Sequence, residues 1–235
     1  MQATINLMFR FGVRLCLGLF LVLLPNLSGQ NTTTATRPSH LPGKSSAGEI
    51  EAGIYRNPAF GFRYRLPYGW VDRTQVMQDR DAADQSPQPS KAQVLLAVFE
   101  RPPEATGETV NSTVVIAAES TSSYPGLKTA ADYFGPLEEV VTAKGFKVAN
   151  EPYEFPIGAK QLAREDFSKD LGKLTMQQAT LVMLAKGYIV SFTFIGGSED
   201  EVEELLEGVS FPTAQTSGSP HPLHPSSSPS SPSGK

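Results

Sequence analysis

The chain reads as an α+β fold, an antiparallel β-sheet with helices packed on it. Three observations predict this. The apolar residues fall mostly in short β-branched or alternating runs. Only two segments have helical spacing. Most connections between successive strands are too short for the crossover helix that a parallel sheet needs.

In chain order, a short strand at Ile54-Tyr55 leads into the turn Asn57-Pro58-Ala59-Phe60-Gly61. Phe62, Tyr64 and Leu66 then alternate with Arg63 and Arg65, the period of a half-buried strand. The polar stretch Asp79–Ser90, with Pro87 and Pro89, reads as a loop. Val94–Phe99 and Thr113–Ala117 are apolar, rich in β-branched residues, and read as buried strands. Ala130, Tyr133, Phe134, Leu137, Val140 and Val141 have helical spacing, with Thr129 and Asp132 to cap the start and Gly145 to end it. Pro136 in that segment predicts a kink or a split. Five strands follow: Phe146–Ala149, Tyr153–Phe155, Gln161–Phe167, Leu174–Leu184 and Tyr188–Ile195. In the last, Tyr188, Val190, Phe192 and Phe194 share a face. Ser198-x-x-Glu201 is a capping box, followed by the stripe Val202, Leu205, Leu206 and Val209.

The 235 residues divide into four parts. Residues 1–29 read as a secretory signal, with Arg10 and Arg14 ahead of the apolar run Leu15–Leu24, which is about half the length of a bilayer span. The alternative is an uncleaved anchor. Residues 30–50 form a Thr-, Ser-, Pro- and Gly-rich spacer expected to be flexible. Residues 51–212 are the domain, large enough for its own core. Residues 213–235, with five Pro and eight Ser, read as an extended, disordered tail. The expected destination is export, to a periplasmic or extracellular compartment. Cys16 lies within the leader's apolar run, so the mature chain would carry no cysteine.

Tyr55-Arg56-Asn57, Phe60-Gly61-Phe62-x-Tyr64 and Leu66-Pro67-x-Gly69-Trp70 resemble the opening of PsbP-like domains. Gly187–Phe194, the acidic helix and Val209-Ser210-Phe211 resemble their close. The resemblance spans most of 53–212. It implies a three-layer α/β/α sandwich around an antiparallel sheet, a fold shared with Ran-binding import factors of the Mog type and the bacterial envelope protein DcrB. It also implies a binding or accessory role. The motifs are turn and core residues, so no functional residue transfers with them. An export signal agrees with the envelope branch and disagrees with Ran binding.

The chemistry is sparse. The three histidines, His40, His221 and His224, lie in the spacer and tail, so the domain has neither His nor Cys for a nucleophile–base pair or a zinc site. No Ser-x-x-Lys or Gly-x-Ser-x-Gly occurs. Gly196-Gly197-Ser198 precedes a helix, yet Glu199, Asp200 and Glu201 fill its first turn and would repel a phosphate. Glu165-Asp166 on a strand and Glu138-Glu139 on a helix each diverge, so neither forms a dyad; Glu151 and Glu154 are equally weak candidates. Trp70 reads as a core anchor. Asn31-Thr32-Thr33 and Asn111-Ser112-Thr113 are glycosylation sequons.

Two charged features stand out. Glu199, Asp200, Glu201, Glu203, Glu204 and Glu207 put six acids on one short helix. They form a solvated face, a docking surface for a basic partner, or a weak divalent-cation site. Arg63 and Arg65 share a strand face and either cover a helix, pair with acids or line a binding surface. The domain carries 15 bases against 23 acids, which excludes the basic footprint of a nucleic-acid binder. The expectation is a non-enzymatic, exported binding or accessory module of the cell envelope. It would need no cofactor or metal, and would touch the membrane only through an uncleaved leader. The other reading is a small-ligand carrier or an enzyme whose site lacks His and Cys.

Overall fold

The computed structural model describes residues 48–83 and 92–212. The leader, nearly all of the spacer, the tail, the sequon at Asn31, Cys16, His40, His221 and His224 lie outside the described residues.

Two antiparallel sheets form. The smaller holds β1 (Glu49–Glu51), β2 (Ile54–Asn57), β3 (Phe62–Arg65) and β12 (Val209–Ser210), in the order β1-β2-β3-β12. The larger runs β4 (Val71–Asp72), β5 (Gln93–Phe99), β6 (Thr113–Ser120), β11 (Tyr188–Gly196), β10 (Thr175–Ala185), β9 (Lys160–Asp170) and β7 (Lys147–Val148), with β8 (Tyr153–Ile157) also paired to β9. Among the described residues three α-helices accompany them: α1 (Thr74–Ala83), α2 (Phe134–Ala143) and α3 (Glu199–Leu206). The first described strand starts at Glu49, so the last two residues of the stretch read as spacer belong to a strand.

The layers follow from strand alternation. One face of the large sheet carries Leu96, Val114, Ile116, Leu181, Val190, Phe192 and Phe194. These pack against Tyr55, Phe62 and Tyr64 of the small sheet and Val202, Leu205 and Leu206 of α3. The opposite face carries Phe167, Val182 and Ile189 beneath Phe134, Leu137 and Val141 of α2. Further along that face, Val94, Ala97 and Phe99 lie beneath Met77 of α1. The result is the expected α+β sandwich, with one outer layer made jointly by the small sheet and α3.

Local chemistry sets the turns. Asn57 is 1 % exposed; its Oδ1 accepts from the Phe60 amide at 3.0 Å and its Nδ2 donates to Tyr55 Oη at 3.0 Å. Gly61 closes the turn with φ +72°, which favours glycine there. Between β10 and β11, Lys186 (φ 51°) and Gly187 (φ 79°) form a two-residue connection with both residues left-handed, which matches the twist of a hairpin. At Gly208 a Cβ would lie 2.6 Å from the Tyr64 ring and 2.9 Å from the Arg65 carbonyl, so close packing demands glycine.

Three expectations are corrected. Residues 79–83 are the second half of α1, not loop; this helix is polar and buries only Met77. It is tied to β5 by Gln78 Nε2 donating to the Val94 carbonyl at 2.7 Å and by Thr74 Oγ1 accepting from the Ala97 amide at 2.9 Å. The remainder of the expected loop, residues 84–90, lies outside the described residues. Pro136 does not kink its helix, because it sits in the first turn of α2, where its missing amide leaves no helical bond unmade. The split comes earlier, between a 3-10 turn at Ala131–Tyr133 and α2. Val209 is buried on β12 rather than continuing the α3 stripe. Trp70 is half-buried at the margin of the main core.

Tyr64 is 0 % exposed and its hydroxyl has no hydrogen-bond partner among the described residues. Burial raises the phenol's pKa, with Arg65 pulling weakly the other way. Tyr64→Phe removes an unmade bond and keeps the ring against Phe194, so the variant is expected to match or exceed the wild type by up to about 1 kcal/mol in urea denaturation. A loss of about 1 kcal/mol or more would show that the hydroxyl is engaged.

Candidate functional site

The outer face of the small sheet is built by alternation in β3. Phe62 and Tyr64 point into the core, so Arg63 and Arg65 point outward and are exposed. Pairing places Arg63 directly opposite Arg56 on β2, and Arg65 opposite Ile54. Arg56 is satisfied by Glu51 at 2.9 Å. Arg63 and Arg65 make no side-chain hydrogen bond or ion pair among the described residues. Like charges directly opposite one another on a sheet cost stability. At the end of β3 the turn Pro67-Tyr68-Gly69 leaves Tyr68 fully exposed.

The acidic helix does not present six equivalent acids. Ser198 caps α3, its side chain accepting from the Glu201 amide at 3.2 Å. Glu201 reaches back to the Gly197 amide at 2.8 Å and accepts from Ser112 Oγ, which anchors the helix to the start of β6. Glu203 bonds Arg164 on β9. Arg164 is 6 % exposed, also bonds Asp166 at 2.8 Å, and lies 5.0 Å from the Phe155 ring centroid. Burial opposes its charge, and the bonds to Glu203 and Asp166 overcome that and raise its pKa. Glu199, Asp200, Glu204 and Glu207 remain exposed.

The large sheet buries an acid that the sequence pairs only with its chain neighbour, Asp166. Glu165, on β9, faces α2 and is 0 % exposed, with neither carboxylate oxygen hydrogen-bonded by a donor. Glu138 of α2 lies within hydrogen-bonding reach of it, and Glu151 adds further negative charge. Burial above all, then Glu138 and Glu151, pushes Glu165 up to about 8. Glu165-Asp166 diverge as expected, with Asp166 held by Asn150 and Arg164 on the other side. Glu138-Glu139 diverge too; the fold joins one member of each pair.

Other polar groups have structural duties. Glu119, 6 % exposed, accepts from Tyr124 Oη at 2.5 Å and Tyr133 Oη at 2.6 Å. The sequon side chain Asn111 bonds both backbone groups of Arg101, accepting from its amide at 3.1 Å and donating to its carbonyl at 2.9 Å. Among the described residues no group of three His, Cys, Asp or Glu is arranged to hold a metal ion. No helix among them is long and apolar enough to cross a membrane.

No family model and no curated protein matches the chain. Solved structures similar to it include a PsbP and a Mog protein, two of the types the sequence resembles, and a further protein, LpqN. The cyanobacterial PsbP of Synechocystis is 13 % identical, with 71 % of this chain and 97 % of that chain covered and a TM-score of 0.43. LpqN, involved in cell envelope biogenesis of Mycobacterium tuberculosis, is 11 % identical over 64 % of this chain and 83 % of that chain, with a TM-score of 0.35. The Ran-binding protein Mog1p of Saccharomyces cerevisiae is 12 % identical over 68 % of this chain and 84 % of that chain, with a TM-score of 0.37. The likeness is one of fold.

Proposed function

We propose that this protein is an exported, non-enzymatic accessory module of the cell envelope that docks an acidic protein partner on the outer face of its small sheet. The observation that carries the reading is the Arg63–Arg65 pair. Two guanidinium groups stand outward without a counter-ion among the described residues, and Arg63 faces a third across the sheet. An acidic partner removes that repulsion and supplies planar carboxylates, the preferred mates of Arg. Exposed Tyr68 at the end of the strand adds a second residue type favoured at binding centres. The acidic balance of the domain works against docking on an anionic lipid surface. Export rests on the composition of residues 1–29.

Glu199, Asp200, Glu204 and Glu207 offer a second, oppositely charged surface, and the test separates the two. A C-terminally tagged chain is crosslinked in its native host and the co-purifying proteins are identified. The expected result is one stoichiometric acidic partner. Capture should drop at least tenfold in Arg63→Glu/Arg65→Glu and persist when the four acids are changed to Lys. Capture lost only on reversal of the acids would move the surface to α3. A chain that captures nothing would favour the small-ligand reading.

A further inference from the structure

Glu165 is placed where a carboxylate has no means of staying charged. It is wholly buried and both its oxygens lack a donor. Its neighbours on the same face of β9, Ala163 and Phe167, belong to the apolar layer beneath α2. Across the ladder is Thr180, 1 % exposed, whose hydroxyl accepts from Gln178 Nε2 at 3.2 Å. The group that meets Glu165 from α2 is another acid, Glu138.

The surroundings hold little to neutralise the pair. Glu151, in the segment joining β7 to β8, is acidic and exposed, as is Glu154 on β8. Asp166 points to the opposite face, with Arg164. Asp132, before α2, is occupied by the amides of Lys128 and Thr129 at 2.8 and 2.7 Å. Lys147 is paired with Asp170. Lys169 donates to the Lys144 carbonyl at 2.5 Å, at the far end of α2. A proton on wholly buried Glu165 turns its repulsion with half-buried Glu138 into a strong O–H···O⁻ bond.

We propose that Glu138 and Glu165 form a proton-operated latch, in which one shared proton fastens α2 to the large sheet and its loss loosens the helix and uncovers the apolar surface around Phe167 and Val182. With Glu165 held at about 8 in the closed state and near the ordinary carboxylate value when α2 is open, the closed state retains the proton that the open state loses. Opening therefore grows as pH rises from about 5 to 8, by up to about tenfold per unit, and levels off above that range.

Amide hydrogen exchange on the full chain tests this. Exchange is followed from pH 5 to 8 and corrected for its intrinsic pH dependence, with β10 and β11 as the internal reference. The expected result is a rising opening constant confined to α2 and its 3-10 turn. Glu165→Gln, whose amide donates to Glu138, should abolish the pH dependence; Glu138→Gln should reduce it without abolishing it, because burial still raises Glu165, and serves if the first variant does not fold. A flat wild-type profile, an unchanged slope in the variants, or loss of protection in α2 together with β10 and β11 would each overturn the latch.

Discussion

Phe192→Ala should destabilise the domain by about 4 kcal/mol, the cost of truncating a large core aromatic into a site that cannot collapse. Phe192 sits in the middle of β11, 0 % exposed, with Leu181 of β10 and Ile116 of β6 beside it in register. Its ring meets Phe62 of β3 edge-on at 4.9 Å and Phe211 at 6.5 Å, so it is a contact through which the two sheets are joined. The neighbours that would fill the void belong to strands already fixed by ladders on both sides, so relaxation is limited. Against a typical total stability of about 5–15 kcal/mol, that loss removes a large share. Phe192→Leu, which leaves most of the volume, should lose less than half as much. Urea denaturation of both variants checks this. A loss below about 1.5 kcal/mol in the alanine variant would mean that the sheets are not held together at this ring.

Phe192 was legible in the sequence because a strand with one buried face alternates, and Tyr188, Val190, Phe192 and Phe194 keep that period. The same logic located most of the strands and gave the outward direction of Arg63 and Arg65. It failed at α1, and the reason is physical. That helix has almost no apolar stripe, and its polar residues look like a loop. What holds it is bonding to β5, a partner distant in sequence. One local signal was available: Asp72 Oδ1 accepts from the Thr74 amide at 2.8 Å, a helix-start device.

The acids divide the same way. Ser198-x-x-Glu201 announced its own local use, and Glu201 is indeed taken by the helix start. Glu203 could not be told from its exposed neighbours, because Arg164 reaches it from another element. The Glu138–Glu165 pair was hidden for a stronger reason. Each acid has another acid next to it in the chain, and helix and strand geometry separate both of those pairs. The meeting of one acid from each depends on how α2 lies on β9, which no local period encodes. The sequence thus showed which surfaces are charged, but not which charges the fold consumes.

Stability of the wild type should fall as pH rises from 5 to 8, by about 3 kcal/mol from Glu165 alone. Its carboxyl is held at about 8 in the folded chain, by burial first and Glu138 second, and returns to the ordinary carboxylate range on unfolding. The folded state therefore binds the extra proton, and the contribution is complete below the unfolded value and is lost as pH climbs through the folded one. Lys144 acts in the opposite sense at higher pH. Burial, and then repulsion from Lys169, lowers it to about 8, so the unfolded state holds its proton more firmly and stability recovers above that pH. The two groups together place a minimum near pH 8. Urea midpoints measured from pH 5 to 10 should trace that dip. Glu165→Gln should flatten its acidic limb and leave the variant more stable than wild type at pH 8, while the recovery due to Lys144 persists. A wild type that gains stability steadily from pH 5 to 8 would show instead that Glu165 is ionised in the folded chain, and that some group near it supplies the charge or the donor that its site otherwise lacks.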